Sequence, residues 1–173
     1  MLERARRVRV VLLDFDGVLT DGRIVLGPDG LDVRAFDVKD GFGIQLARAA
    51  GLELGIVSGR TSVVLVDRAR DLGIREVHQG VTDKAARLSE IAARLGASTD
   101  ETCFMGDDLI DLPAMRRAGF AAAPADAMPQ VRQLAHHVTE QRGGRGAVRE
   151  LVELLLAASG RLERVVLPYL RDA

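Results

Sequence analysis

The chain has 173 residues, a formal net charge of −1 and a single cysteine. This length can bury one hydrophobic core and predicts a single domain. The near-zero charge and the dispersed arginines give no basic field that would attract nucleic acid. The charged N-terminal segment leads into an apolar run that stops at Asp14, too early for a signal peptide or a membrane span. We therefore expect a soluble, cytoplasmic protein that binds neither nucleic acid nor membranes.

The predicted elements begin with a buried strand at Val8–Leu13, a short β-branched run typical of a parallel sheet. A β-hairpin is predicted at about 22–36, where apolar segments flank the turn Gly27-Pro28-Asp29-Gly30. Helices are predicted at Gly43–Ala50, Thr61–Leu72, Asp83–Leu95, Leu112–Ala118 and Ala147–Ala158. Further strands are predicted at Leu52–Val57, Glu76–His78, Thr102–Met105, Phe120–Ala122 and His137–Thr139. This alternation predicts an α/β fold, a three-layer Rossmann-like sandwich around a parallel sheet.

Two carboxylates follow the first strand, in the segment Asp14-Phe15-Asp16-Gly17. Open α/β sheets bind their ligands at the carboxyl ends of the strands, which is where Asp14 falls. An aspartate in this position can attack phosphorus and form an acyl phosphate. Asp16, one pleat further along, is predicted to point the same way and to act as general acid and then general base. Gly17 would let the backbone approach a phosphate.

Later strand ends carry residues that suit the same chemistry. Ser58-Gly59-Arg60 offers a hydroxyl and backbone N–H groups ahead of a helix, which makes a seat for an anion. Lys84 begins a predicted helix and can neutralise charge on the nucleophile and on a phosphoryl group. The plainer interpretation of Lys84 is a surface lysine, and that of Asp-x-Asp-Gly is a turn.

A cluster of acids, Asp107, Asp108 and Asp111, follows the strand Thr102–Met105. Oxygen ligands at this density suit Mg²⁺. We predict Asp107 as a direct ligand together with Asp14 and the backbone carbonyl of Asp16. Asp108 and Asp111 are predicted to orient that ligand or Lys84. Their alternative role is to cap the helix that follows.

The motifs DFDGVLTDG, VSGR, DK and GDDLIDLP occur in this order at the predicted strand ends. They resemble the four motifs of the haloacid dehalogenase-like phosphatase superfamily. Further segments resemble its capless branch of 3-deoxy-D-manno-octulosonate 8-phosphate phosphatases, and these are FDVKDGFGI, SGRTS with Arg68 and LGI after it, HQG, and GGRGAVRE. The resemblance runs from about Val8 to about Leu156.

The resemblance implies a Mg²⁺-dependent phosphomonoesterase that acts on the eight-carbon sugar acid phosphate of lipopolysaccharide synthesis through an aspartyl phosphate. Arg60, Lys39 and, from a neighbouring subunit, Arg145 are candidates for substrate contacts. Lys39 stands where we expect arginine to be common in the family, and lysine lacks the bidentate fork that matches a carboxylate.

The chain has no room for a separate cap domain, so something else must cover the site. The family it resembles forms a homotetramer whose hairpins associate into a central barrel, which lets a neighbour wall each active site. An isolated two-stranded hairpin is marginal in water, which also favours a partner. The alternative is a hairpin folded onto its own domain.

The glycine-rich segment at about 142–147 is predicted to be too flexible for the core. It can form a mobile lid whose Arg145 meets the sugar carboxylate, or a plain loop before the last long helix. Arg149 is predicted to pair with Glu153 on the helix surface.

Gly160–Ala173 is predicted as a terminal helix with a packing role. Residues predicted to be structural, solvated or unreactive are His78, His136, His137 and Cys103.

Two other functions fit the same residues. A phosphatase for nonulosonate or sialic acid 9-phosphates differs by one carbon in a water-exposed site. A catalytically silent assembly module would keep the fold and lose the acids or the lysine. Because Asp14, Asp16, Lys84 and Asp107 are all present, the sequence favours an enzyme.

Overall fold

A computed structural model of the chain describes residues 1–28 and 31–170. Its strands, in chain order, are β1 Val10–Leu13, β2 Val25–Leu26, β3 Asp32–Val33, β4 Glu53–Val57, β5 Glu76–His78, β6 Thr102–Met105, β7 Phe120–Ala123 and β8 His137–Val138. Its helices are α1 Leu2–Arg6, α2 Val38–Ala49, α3 Val63–Leu72, α4 Lys84–Arg94, α5 Leu112–Arg117, α6 Pro129–Leu134, α7 Ala147–Ala158 and α8 Leu162–Val166. Short 3-10 turns lie at Thr99–Glu101, Leu109–Asp111 and Leu167–Tyr169.

Six parallel strands form the central sheet in the order β5-β4-β1-β6-β7-β8. Successive side chains of β1 enter opposite layers, as the pleat requires. Val11 and Leu13 pack in the layer that holds α1, α2, α3, α7 and α8, and Val10 and Leu12 pack in the layer of α4, α5 and α6. The predicted three-layer α/β/α sandwich is confirmed.

The predicted hairpin is present as a short antiparallel pair that protrudes from this core. Val25 pairs with Val33 and Leu26 pairs with Asp32. Residues 29–30 of its predicted turn lie outside the described residues. Val25 and Leu26 are 57% and 72% exposed, so the hairpin leaves apolar surface open.

Several helix starts differ from the sequence prediction, and each difference has a local cause. α2 begins at Val38 rather than Gly43, because the Asp37 carboxylate caps it by accepting from the backbone N–H of Lys39 at 2.7 Å. α3 begins at Val63 rather than Thr61, with Ser62 as its cap residue in an extended conformation. α1 and α6 were not predicted, although Pro129 at the start of α6 is a helix-start signal.

The terminal segment, Cys103 and His136 agree with the predictions. The region 160–170 forms α8 and a 3-10 turn, and residues 171–173 lie outside the described part. Cys103 is fully buried, and burial raises the pKa of its thiol far above the ordinary value. His136 accepts from the backbone N–H of Ala121 and stacks on Phe120. Within residues 1–28 and 31–170, no helix combines the length and apolar character needed to cross a bilayer.

Candidate active site

The candidate site lies at the carboxyl edge of the sheet, where three neighbouring strands end side by side. Leu13 at the end of β1 is in register with Ile56 of β4 and with Met105 of β6. The residues that follow these strands, Asp14 and Ser58 among them, therefore meet at one edge. Motifs that are far apart along the chain lie close together in space because their strands are parallel and adjacent.

Lys84 joins two of the acids. Its Nζ lies 2.8 Å from Oδ1 of Asp14 and 2.6 Å from Oδ1 of Asp111. The side chains of Lys84, Asp14 and Asp111 are 2%, 8% and 0% exposed. Burial alone would lower the pKa of Lys84, but the two carboxylates outweigh it and the pKa is raised. Lys84 is therefore a buried, charged member of the site, and the interpretation as a surface lysine is wrong.

Asp111 organises the acidic segment as well as the lysine. Its Oδ2 accepts from the backbone N–H groups of Asp107 at 3.0 Å and Asp108 at 3.2 Å. It thus orients both Lys84 and the backbone that carries Asp107. Asp108, in contrast, is exposed and accepts from the N–H of Leu109 at 2.6 Å. Its contact is that of a helix cap, the alternative role given by the sequence.

Asp14, Asp107 and Asp111 each offer one carboxylate oxygen within 4.8 Å of the others. Oδ1 of Asp107 is buried and has no hydrogen-bond partner among the described residues. Burial, then the nearby charges of Asp14 and Asp111, raises the pKa of Asp107 to about 8. Burial and the charge of Asp111 raise the pKa of Asp14 to about 6, against the opposing effect of Lys84. A cluster with this excess of negative charge, and an unpartnered oxygen, fits a hard divalent cation.

Asp16 occupies a tight turn and not the continued strand predicted from the sequence. The backbone N–H groups of Val18, Leu19 and Thr20 converge on the carbonyl of Phe15, which ends the extended conformation directly after Asp14. The Asp16 carboxylate pairs with Nε of Arg34 at 2.9 Å and lies 3.8 Å from Nε of Arg60. Sequence reasoning missed Arg34, whose only signal was an arginine next to the hairpin strand.

Gly17 is required by the same turn. Its φ is +91°, and a Cβ there would lie 2.1 Å from Oδ2 of Asp107. Thr20 is fully buried and its Oγ1 accepts from the N–H groups of Gly17 at 3.2 Å and Gly22 at 3.1 Å. The turn therefore brings its backbone against the acidic cluster.

The predicted anion seat surrounds the end of β4. Ser58 is buried, its N–H donates to the carbonyl of His78 at 2.8 Å, and its Oγ accepts from the N–H of Arg60 at 3.2 Å. Gly59 is exposed, and the nearest atom to a Cβ there would be the carbonyl oxygen of Val81 at 3.7 Å. The Arg60 side chain is 62% exposed and free to turn toward a ligand.

Lys39 at the start of α2 lies near Arg145, which precedes α7. They share a cleft of about 350 Å³ whose lining includes Glu140, Arg149 and Glu150 but none of the clustered aspartates. Arg145 lies near Asp21, with Nη2 to Oδ2 at 3.9 Å. Among residues 1–28 and 31–170, no ion pair joins either cation to Asp14, Asp107 or Asp111.

The glycine-rich segment is packed against the turn after β1, which corrects the prediction that it is too flexible for the core. Gly143 is buried and a Cβ there would lie 1.8 Å from the carbonyl oxygen of Gly17. The N–H of Gly144 donates to the carbonyl of Val18 at 2.9 Å. These glycines allow the two loops to pack closely against each other, and they do not make the segment flexible.

The buried carboxylate of Asp40 fixes the other end of that segment. It accepts from the N–H groups of Gly146 at 3.1 Å and Arg149 at 2.8 Å. The predicted pair of Arg149 with Glu153 is confirmed at 2.6 Å.

Comparison with known proteins agrees with the geometry. Residues 72–151 match the family model of haloacid dehalogenase-like hydrolases. The parallel sheet with a lysine and three aspartates at its carboxyl edge thus defines a hydrolase of the haloacid dehalogenase-like class.

Comparison with whole chains identifies a family within this class. The 3-deoxy-D-manno-octulosonate 8-phosphate phosphatase of Yersinia pestis is 41% identical over 163 residues, which cover 94% of this chain and 87% of that protein. The enzyme of the same name from Escherichia coli K12 is 40% identical over the same shares. The chain belongs to the family of 3-deoxy-D-manno-octulosonate 8-phosphate phosphatases.

Solved structures give the same family. A crystal structure of the Moraxella catarrhalis phosphatase with a magnesium ion, a phosphate ion and a KDO molecule superimposes with a TM-score of 0.94 at 35% identity, covering 97% of each chain. The Yersinia pestis crystal structure superimposes with a TM-score of 0.91 and covers 94% of this chain and 88% of that one.

We predict that the metal-free protein loses stability as the pH rises. The folded-state pKa values of Asp14 and Asp107, about 6 and about 8, lie above the ordinary value of 3.8. The folded chain therefore binds more protons than the unfolded chain between pH values of about 4 and about 8, and the free energy of unfolding falls across that interval. Thermal unfolding in a chelator, followed across this range, measures the effect.

The matched control is Asp107→Asn, which removes the carboxylate with the higher pKa. Its melting temperature should fall less steeply with pH than that of the parent chain, and added Mg²⁺ should stabilise the parent more strongly than the variant. Identical pH slopes for the two chains would contradict the account of the acidic cluster.

Proposed function

We propose that this protein hydrolyses 3-deoxy-D-manno-octulosonate 8-phosphate to the free sugar acid and inorganic phosphate. The observation that carries the proposal is the buried arrangement of Lys84 between Asp14 and Asp111, beside the unpartnered oxygen of Asp107. Such a site suits a phosphoryl group and its cation. Family membership supports the substrate.

Asp14 acts as the nucleophile in this mechanism. Its carboxylate oxygen attacks phosphorus, a new P–O bond forms to Asp14, and the bond to the sugar oxygen breaks. Asp16 gives its proton to the departing alkoxide. Asp16 then takes a proton from water as that water attacks phosphorus, which releases phosphate and restores Asp14. Lys84 keeps Asp14 in place and offsets negative charge that the phosphoryl group brings.

Mg²⁺ is the proposed cofactor, held by the carboxylates of Asp14 and Asp107 and by the backbone carbonyl of Asp16. When bound it supplies charge that offsets the negative phosphoryl oxygens. Asp111 keeps the backbone of Asp107 in register for this role, through the two N–H bonds described above. The surplus of carboxylate over ammonium in the pocket supports this assignment.

We propose the remaining substrate contacts from where the residues lie relative to the acidic cluster. Ser58 and the backbone of Gly59 and Gly17 suit phosphoryl oxygens at the strand ends. Arg60 is close to Asp16 and exposed, which places it at the mouth of the site. Lys39 and Arg145, in their separate cleft, suit the sugar acid's carboxylate where a neighbouring subunit brings that cleft to the site.

We further propose a homotetramer built through the hairpins, working in the cytoplasm. Val25, Leu26, Leu31 and Val33 are between 45% and 72% exposed. The described residues of the hairpin form two pairs, too few for the hairpin to be stable without packing partners. A phosphorylated sugar acid carries too much charge to cross a bilayer unaided, which supports an enzyme in the compartment where the substrate is made.

The substrate assignment is tested by phosphate release in the presence of Mg²⁺ from the eight-carbon acid phosphate, nine-carbon acid 9-phosphates and simple sugar phosphates. We expect the eight-carbon acid phosphate to be strongly preferred. Asp14→Asn should lower the rate by about 1,000-fold or more while the circular dichroism spectrum stays unchanged. Preference for the nine-carbon acids would overturn the substrate, and activity of the variant within about tenfold of the parent would overturn the nucleophile.

The assembly is tested by light scattering during size-exclusion chromatography. The parent chain should elute with the mass of four chains, and Leu26→Asp should shift it to smaller species because a charge in an apolar barrel is costly. Arg116→Asp, an exposed position on α5, is the matched control and should leave the tetramer intact. A monomeric parent chain would refute the tetramer.

A further inference from the structure

Arg34 connects the hairpin to the candidate site. Its side chain is only 2% exposed, although Val33, the strand residue before it, is exposed. Nε of Arg34 donates to Oδ1 of Asp16 at 2.9 Å, and Nη1 donates to Oδ1 of Asp32. Oδ2 of Asp32 in turn accepts from Oγ of Ser62 at 2.9 Å. A continuous chain of contacts thus runs from the start of α3, through the hairpin, to Asp16.

We infer that Arg34 is a positioning residue for the proton transfers carried out by Asp16, an inference that rests on the proposed function. Asp16 lies in a turn, where neither a strand nor a helix fixes its side chain. A planar guanidinium held by a second carboxylate has little freedom left, so the Asp16 oxygen it binds is fixed as well. Oδ1 is occupied by Arg34, which leaves Oδ2 as the oxygen that meets the leaving group and the water.

The neighbouring arginine cannot fill this role. Arg60 approaches Oδ2 at 3.8 Å with a side chain that is 62% exposed, so its contact is longer and less confined. Arg34 is buried and its second partner, Asp32, is itself tied to Ser62. The hairpin therefore has two separable roles, with apolar residues outside for assembly and Arg34 inside for alignment of the acid.

A merely structural role for Arg34 predicts a different pattern of defects from a positioning role. The sugar alkoxide is a poor leaving group and needs a proton from Asp16, whereas p-nitrophenolate is stable and does not. Loss of Asp16 alignment should therefore spare the attack of Asp14 on p-nitrophenyl phosphate. It should slow the release of the sugar and the later attack of water, both of which use Asp16.

The experiment uses the Mg²⁺-loaded full chain and Arg34→Met. We expect its kcat on the eight-carbon acid phosphate to fall by about 100-fold, within the usual range for lost general acid–base catalysis. With p-nitrophenyl phosphate in rapid mixing, a burst of one p-nitrophenolate per site should appear, at a rate within about threefold of the parent's first turnover. Asp16→Asn should reproduce this pattern more strongly.

Two variants guard against a general folding defect. Arg34→Lys keeps the charge but lacks the planar fork that binds Asp16 and Asp32 through separate nitrogens, and should fall between the parent and Arg34→Met. Asp32→Asn keeps Arg34 and loosens its anchor, and should show the same pattern more weakly. An equal loss in the burst and in the steady state, or no loss on the sugar acid phosphate, would overturn the inference. Failure of the parent chain on that substrate would instead count against the proposed function, and the leaving-group comparison would then run on whichever alkyl phosphate the parent accepts.

Discussion

The contact on which the site depends is the buried ammonium of Lys84 between Asp14 and Asp111. A carboxylate or ammonium buried alone is costly, and it is tolerated only where opposite charges and hydrogen bonds compensate. Here three carboxylates, Asp14, Asp107 and Asp111, meet one ammonium, so the pocket keeps a surplus of negative charge. Burial and that surplus together raise the pKa values of Asp14 and Asp107, and the surplus is the physical reason that the site calls for a divalent cation.

The rest of the fold holds this charge cluster in place. β1 lies in the middle of the sheet, pairs with β4 and β6 and is buried on both faces, so Asp14 follows a strand that is packed on every side. The Asp83 carboxylate caps α4 by accepting from the N–H of Ala86 at 2.9 Å, which fixes the helix that begins with Lys84. Asp111 ties the loop after β6 to the same lysine. The members of the cluster thus come from the end of β1, the start of α4 and the segment after β6.

The sequence was sufficient to predict the six strands of the sheet and the residues just after their ends, although it did not predict α1 and α6. Asp14, Ser58 and Asp107 could be predicted because adjacent parallel strands bring their carboxyl ends together, a rule that needs no knowledge of packing. The bounds of α7 were also predicted correctly, since its apolar periodicity begins and ends at glycines and small residues. Asp111 could be predicted as a site residue, but its contacts with both Lys84 and the backbone of Asp107 could not. An acid that caps a helix and an acid that binds a lysine look the same in a sequence.

Contacts between elements that are distant in the chain could not be predicted from the sequence. Arg34 meets Asp16 across 18 positions and Asp40 meets Gly146 across 106, and no periodicity encodes either contact. The glycines of the 143–146 segment were misjudged for a related reason. Glycine permits both flexibility and close approach, and only the packed structure, with Gly143 against Gly17, distinguishes the two.

The measurement that tests the central claim most directly is the capture of a phosphoryl group on the enzyme. Asp16→Asn, loaded with Mg²⁺ and mixed with p-nitrophenyl phosphate, is quenched in acid after a single turnover and its peptides are analysed by mass spectrometry. We expect a phosphoryl group on the peptide that contains Asp14, attached to Asp14 itself and absent after a further Asp14→Asn change. Release of p-nitrophenolate with no phosphorylated peptide, or with the label on another residue, would contradict it.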